Sequence, residues 1–140
     1  MKEKVIGYTA GVFDMFHVGH LRLLENAKAM CDYLVVGVTT DELAIYKGKK
    51  PIIPYNDRAE IVRNIKCVDA VVPQRNMDKN LMCKKIKASY LFVGDDWYET
   101  EKWKNYENEL SKIGVKVIYF PYTDGISSTM LRKELKNEKD

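Results

Sequence analysis

Cysteine is scarce and ungrouped. Cys31, Cys67 and Cys83 are the only three, and no C-x-x-C pair stands among them. That spacing excludes a disulfide framework and a zinc ribbon, and it points to a reducing, cytoplasmic setting. Charge of one sign is lacking as well. With 23 basic and 20 acidic residues the formal net charge is only +3, too little for a surface that coats nucleic acid, although basic residues can still gather locally. Phosphorylated small molecules suit that balance better. No long hydrophobic run is present either: the longest apolar stretch near the start, residues 5–16, is short and broken by Asp14, so it is neither a signal-peptide core nor a membrane span. Internal repeats and low-complexity tracts are also missing.

What is present is enough for one real core. The chain has 140 residues, 46% of them hydrophobic, which fits a single domain over 1–140 and leaves no room for a second. Apolar runs of strand length alternate with helical patterns: strands over 5–10, 33–38, 70–72, 91–93 and 115–120, and helices over 21–31, 58–65, 81–86, 103–113 and 127–135. Strands such as Tyr33-Leu34-Val35-Val36-Gly37-Val38 are apolar almost throughout, as strands buried on both faces are. The expected fold is therefore α/β: a single-domain, Rossmann-like open parallel sheet with helices on both faces. In such a sheet ligands sit beyond the carboxyl ends of the strands, where the strand order reverses.

The most informative segment is Gly11-Val12-Phe13-Asp14-Met15-Phe16-His17-Val18-Gly19-His20. It lies where the first strand hands over to a helix marked by Leu21, Leu24 and Ala27. A helix start offers free backbone N–H groups and the positive end of a dipole, both suited to anionic oxygen. Imidazoles there can donate to phosphate oxygens as charge builds up in phosphoryl or nucleotidyl transfer. Two plainer readings compete: satisfied polar residues at a helix end, or metal ligands with Asp14 as a third. No fourth ligand stands at a recognisable spacing for the latter. The one long irregular stretch, 44–57, carries Lys47, Lys49 and Lys50. It reads either as a functional loop or as a solvated basic one.

Taken with Gly94-Asp95-Asp96-Trp97 and Thr123-Asp124-Gly125-Ile126-Ser127-Ser128-Thr129, the decapeptide resembles the cytidylyltransferase family of the H-x-G-H nucleotidyltransferases. The likeness spans nearly the whole chain and is nearest to bacterial members acting on glycerol 3-phosphate. It implies a CTP-dependent nucleotidyltransferase. CMP would pass from CTP to a small phosphomonoester, with glycerol 3-phosphate the first choice, and CDP-glycerol and pyrophosphate would be the products. It also implies Mg²⁺ accompanying CTP, a homodimer, and no protein metal site. Other acceptors within the family are phosphoethanolamine, phosphocholine or a polyol phosphate. An adenylyltransferase is the rival chemistry, and a nucleotide-binding regulatory module is the rival without catalysis.

Residue by residue, the resemblance makes His17, His20 and Lys47 catalytic. It gives nucleotide contacts to Ala10, Gly11, Val12, Phe13, Gly19, Lys49, Asp96, Trp97, Tyr122, Thr123, Gly125, Ile126, Ser127, Ser128 and Thr129, beside the two histidines. Asp96 would accept from the cytosine amino group. Lys47 and Arg58 would hold the acceptor. Two positions depart from the pattern: Val12 stands where relatives usually carry Thr, and Tyr122 stands where Arg is expected. The first change loses a hydroxyl contact and the second a bidentate guanidinium.

Overall fold

The computed structural model describes residues 4–94 and 100–121. Five strands, β1 (Ile6–Gly11), β2 (Tyr33–Thr39), β3 (Ala70–Gln74), β4 (Tyr90–Gly94) and β5 (Lys116–Phe120), form one parallel sheet in the order β3-β2-β1-β4-β5. Five helices join and cover them: α1 (Val18–Lys28), α2 (Asp41–Tyr46), α3 (Tyr55–Arg63), α4 (Lys79–Ile86) and α5 (Glu101–Lys112). Among the described residues, this is the open Rossmann-like architecture that the alternating pattern implies.

Period-two alternation on β2 separates two cores. Leu34, Val36 and Val38 pack with Leu24 and Ala27 of α1 and with Ala59 and Val62 of α3 on one face of the sheet. Val35 turns to the other face and packs with Tyr8, Cys83 of α4, and Trp103 and Leu110 of α5. Each wholly buried Leu or Val contributes about 1.5–3 kcal/mol of transfer free energy. Leu24 is fully buried, so its truncation to Ala should cost about 2–5 kcal/mol. Gly37 is fixed by a close approach, since a Cβ there would lie 2.2 Å from the Tyr8 hydroxyl.

Strand order reverses at β1, and pairing is uneven there. β1 pairs with β2 at six positions from Ile6 to Gly11, but with β4 at only two, Gly7 with Tyr90 and Tyr8 with Leu91. Beyond them the Thr9 hydroxyl donates to the Phe92 carbonyl at 2.9 Å and takes the place of a ladder bond. The two strands part toward their carboxyl ends, which opens the crevice where such sheets bind ligands.

Local boundaries differ from the periodicity where caps decide them. α1 starts about a turn earlier than Leu21 because His17 caps it. Pro54, with φ −65°, starts α3 ahead of Arg58, and the Asp78 carboxylate caps α4 through Leu81 N–H. The irregular stretch expected over 44–57 begins with α2, capped by the Thr40 hydroxyl. This helix closes in a Schellman motif: Gly48, at φ +84°, donates to the Ile45 carbonyl and Lys49 N–H donates to that of Ala44, both at 2.9 Å. Lys47 and Lys49 thus flank a turn of defined shape. The helix expected over 127–135 lies outside the described residues.

Candidate active site

Each imidazole of the H-x-G-H segment is pinned through its Nδ1. His17 has extended backbone, and its Nδ1 accepts from Gly19 N–H at 3.0 Å, while His20 Nδ1 accepts from His17 N–H at 3.2 Å. A neutral imidazole has one donor and one acceptor nitrogen, so a nitrogen that accepts assigns the proton to its opposite number, Nε2. The rings stack with centroids 3.9 Å apart. Phe13 and Phe16 stand against His20, with centroids at 5.4 and 5.2 Å.

That environment keeps both rings neutral. Burial pushes the His20 imidazolium down to about 4, reinforced by His17 and opposed by the Asp14 carboxylate. Burial lowers His17 too. The His17 Nε2 is shielded from solvent and meets no hydrogen-bond partner among the described residues. An orphaned buried donor costs about 1–3 kcal/mol; an oxyanion at the helix start would satisfy it.

The backbone is unusual at the same place. Phe13 and Met15 are in the left-handed region, at φ +53° and +50°, where side chains other than glycine are strained by about 1–3 kcal/mol. The loop is thereby turned so that Asp14, between them, points inward. Asp14 is 1% exposed, and its two oxygens accept from Ile52 and Ile53 N–H at 2.8 and 2.9 Å. This ties the segment behind Lys47 and Lys49 to the histidine loop.

A cluster of cations forms a second region. The Lys47 ammonium is disfavoured by burial and then by Lys49 and Lys102. That of Lys79 is lowered to about 8 by burial and then by Lys47 and Lys102. Lys79 Nζ lies 5.3 Å from the Trp103 ring centre and 5.9 Å from that of Tyr106, and Lys102 lies 6.0 Å from Tyr106. The aromatic faces hold charges that repel one another. Beside Lys79 a cavity of about 210 Å³ is also lined by Tyr8, Gln74, Arg75, Asn76 and Lys85, with Asp78 its single acidic group. A larger open hollow of about 640 Å³ on the outer side of α3 carries Asp57 and Glu60 and no basic residue, and it suits a phosphate poorly.

Arg58 is a correction. Expected at the acceptor, it is buried at 1% exposure. Its guanidinium donates to the carbonyls of Ile53, Val12 and Thr39 at 2.7–2.8 Å and pairs with Asp41 at 2.7 Å. A side chain so enclosed holds loops and does not reach a substrate. Lys79 and Lys102 are the converse, basic residues that gather with Lys47 and that the motif reading passed over. The signal for Lys79 was its place just after β3, behind the capping Asp78. Ala10 and Gly11 end β1, and Val12 and Phe13 follow it, with the Phe13 ring against that of His20. Asp96, Trp97, Tyr122, Thr123, Gly125, Ile126, Ser127, Ser128 and Thr129 lie outside the described residues.

Residues 8–134 match the Cytidylyltransferase-like family. The chain belongs to that family. It is 40% identical over 134 residues to a glycerol-3-phosphate cytidylyltransferase of Bacillus spizizenii, covering 95% of this chain and 97% of the relative. It is 39% identical over 127 residues to an FAD synthase of Thermococcus kodakarensis, covering 86% and 83%. Among solved structures, a lipopolysaccharide core biosynthesis protein from Thermoplasma volcanium superposes with a TM-score of 0.73 at 26% identity, over 86% of this chain and 98% of that one. This member of the cytidylyltransferase-like family is thus a nucleotidyltransferase enzyme. Among its described residues no helix is long and apolar enough to cross a membrane.

Proposed function

We propose that this protein transfers CMP from CTP to a small phosphomonoester, glycerol 3-phosphate first, giving CDP-glycerol and pyrophosphate. The carrying observation is the pair of neutral imidazoles whose Nε2–H donors stand at the start of α1, one of them buried and unpartnered among the described residues. A phosphate oxygen of the acceptor attacks the α-phosphorus, a P–O bond forms, and the bond to the bridging oxygen breaks as pyrophosphate leaves. A phosphomonoester with a second pKa of about 6 is already mostly dianionic at neutral pH, so no general base is required.

His17 and His20 donate to the α-phosphate and leaving-group oxygens as charge builds there. Lys47 and Lys49 bring acceptor and nucleotide phosphates together, with Lys79 and Lys102 extending the cationic wall on the acceptor side. Without those cations, approach of two polyanions would cost several kcal/mol, about 4 for unit charges 4 Å apart at an effective dielectric of 20. Asp96 belongs to this reading as the acceptor from the cytosine amino group; Asp96→Asn should erode the preference for CTP over UTP.

Both Asp14 oxygens are taken by backbone N–H groups, and among the described residues no three His, Cys, Asp or Glu gather to cage a metal. In this reading Mg²⁺ would accompany CTP and would supply positive charge that offsets the triphosphate. One nucleotidyltransferase domain over the whole chain, a cytoplasmic setting and a homodimer complete the reading, and sedimentation tests the last.

A second reading, an adenylyltransferase, is favoured by the likeness to FAD synthases. A pyrophosphate-release screen of CTP and ATP against a panel of phosphomonoesters separates the two. CTP with glycerol 3-phosphate should give the highest kcat/KM. Preference for ATP, or for another acceptor, would replace the corresponding half of the proposal.

A further inference from the structure

A buried polar joint connects the two phosphate-binding regions. On one side stand Val12 and Asp14 of the histidine loop, and on the other Ile52 and Ile53, behind the lysine turn. Ile53 is held at both ends: its N–H donates to Asp14 at 2.9 Å, and its carbonyl accepts from Arg58 Nε at 2.8 Å. The same guanidinium reaches the Val12 carbonyl at 2.7 Å and the Thr39 carbonyl at 2.8 Å, at the end of β2. Asp41 closes the network, pairing with Arg58 through one oxygen and accepting from Tyr55 N–H at 3.2 Å through the other. Asp14 and Arg58 are each 1% exposed.

Packing alone does not call for this arrangement. A hydrophobic side chain of similar volume would fill the space without desolvating a guanidinium and a carboxylate. Every one of the four Arg58 bonds ends on a loop, a strand end or the first residue of α2. Asp14 is turned inward by left-handed backbone on both sides, at Phe13 and Met15. Rigid bidentate donors fix geometry where a point charge would not.

We propose that Asp14 and Arg58 are positioning residues that set the spacing between the histidine donors and Lys47, and so align the nucleotide with the acceptor. The inference rests on the functional reading above. A misplacement of about 1 Å between reacting groups can cost about 100-fold in rate while each substrate still binds.

The test compares the parent with Arg58→Lys, Asp14→Asn, Lys47→Ala and Arg58→Lys/Lys47→Ala. Folding is followed by circular dichroism, CTP affinity by calorimetry, and kcat and KM by pyrophosphate release with glycerol 3-phosphate. Arg58→Lys should keep CTP affinity and acceptor KM within about 3-fold and lose about 30- to 100-fold in kcat. If Arg58 acts by placing Lys47, the two losses overlap, and the double variant should be within about 3-fold of the slower single one. Additive losses, or a lowered melting temperature with kcat within about 3-fold of the parent, would overturn the inference. Should both buried-site variants fail to fold, Asp41→Asn, whose side chain is 41% exposed, loosens the same network from outside. It should fold and lose about 3- to 10-fold in kcat, and an unchanged kcat there overturns the inference. A parent that releases no pyrophosphate from CTP with any acceptor would sink the functional reading, and the proposed alignment with it.

Discussion

The histidine loop and the lysine cluster are both suited to phosphate, yet they are built on opposite electrostatic plans. In the loop, backbone N–H groups occupy Nδ1 of His17 and His20 and burial keeps the rings uncharged. What they offer is direction, an N–H aimed from a ring that cannot turn. In the cluster, burial and then neighbouring cations disfavour the ammonium of Lys47 and of Lys79, and aromatic faces steady Lys79, over Trp103 and Tyr106, and Lys102, over Tyr106. What they offer is concentrated positive charge, without the fixed direction of a pinned ring. Directed donors suit a transition state with fixed geometry, whereas grouped cations suit capture of an anionic acceptor. The two regions should therefore fail differently when perturbed.

Removing a directed donor should have the largest effect. His17→Ala and His20→Ala should each lower kcat by about 100-fold or more with the fold intact, and near-normal turnover in both would dissolve the distinction. Removing an outlying cation should act on capture: Lys79→Met should raise the KM for the phosphomonoester about 10-fold and leave that for CTP within about 2-fold. A loss confined to kcat would instead assign the lysine to the reacting phosphates.

pH sharpens the contrast. Lys79 in the free enzyme loses its proton at about 8, so kcat/KM for the acceptor should decline as pH rises through that value. kcat should decline less, because bound phosphate retains the ammonium. The smallest signature is in stability. His20 binds its proton at about 4 in the fold against the ordinary 6.5 of a free imidazole, so between those values the unfolded chain binds more protons and stability falls as pH falls. The loss is on the order of 1–3 kcal/mol. His20→Gln should flatten that slope in melting temperature.

The sheet was legible in the sequence because strands covered on both faces leave unbroken apolar runs, as in Leu34 to Val38. The histidine site was legible because strand end, glycines and imidazoles occur in one segment. α2 escaped because six residues carry little periodicity; Thr40 and Gly48, its cap and Schellman glycine, were the readable marks. Arg58 was misplaced because a charged residue at a helix start is ordinarily exposed, and only the fold brings the Val12, Thr39 and Ile53 carbonyls around it. Lys79 joins Lys47 and Lys102 through contacts between distant segments, which no local spacing announces.

The neutral, Nε2-protonated state of the two histidines is where the account is most exposed, and long-range ¹H–¹⁵N correlation spectra of imidazole-labelled protein read it directly. At pH 7, His17 and His20 should both show an unprotonated Nδ1 and a protonated Nε2, with the His20 pattern holding to about pH 5, and CTP should shift the Nε2 resonances without adding a proton. An imidazolium at pH 7, or a proton on Nδ1 of either ring, would contradict the claim that this site binds phosphate through neutral, directed donors.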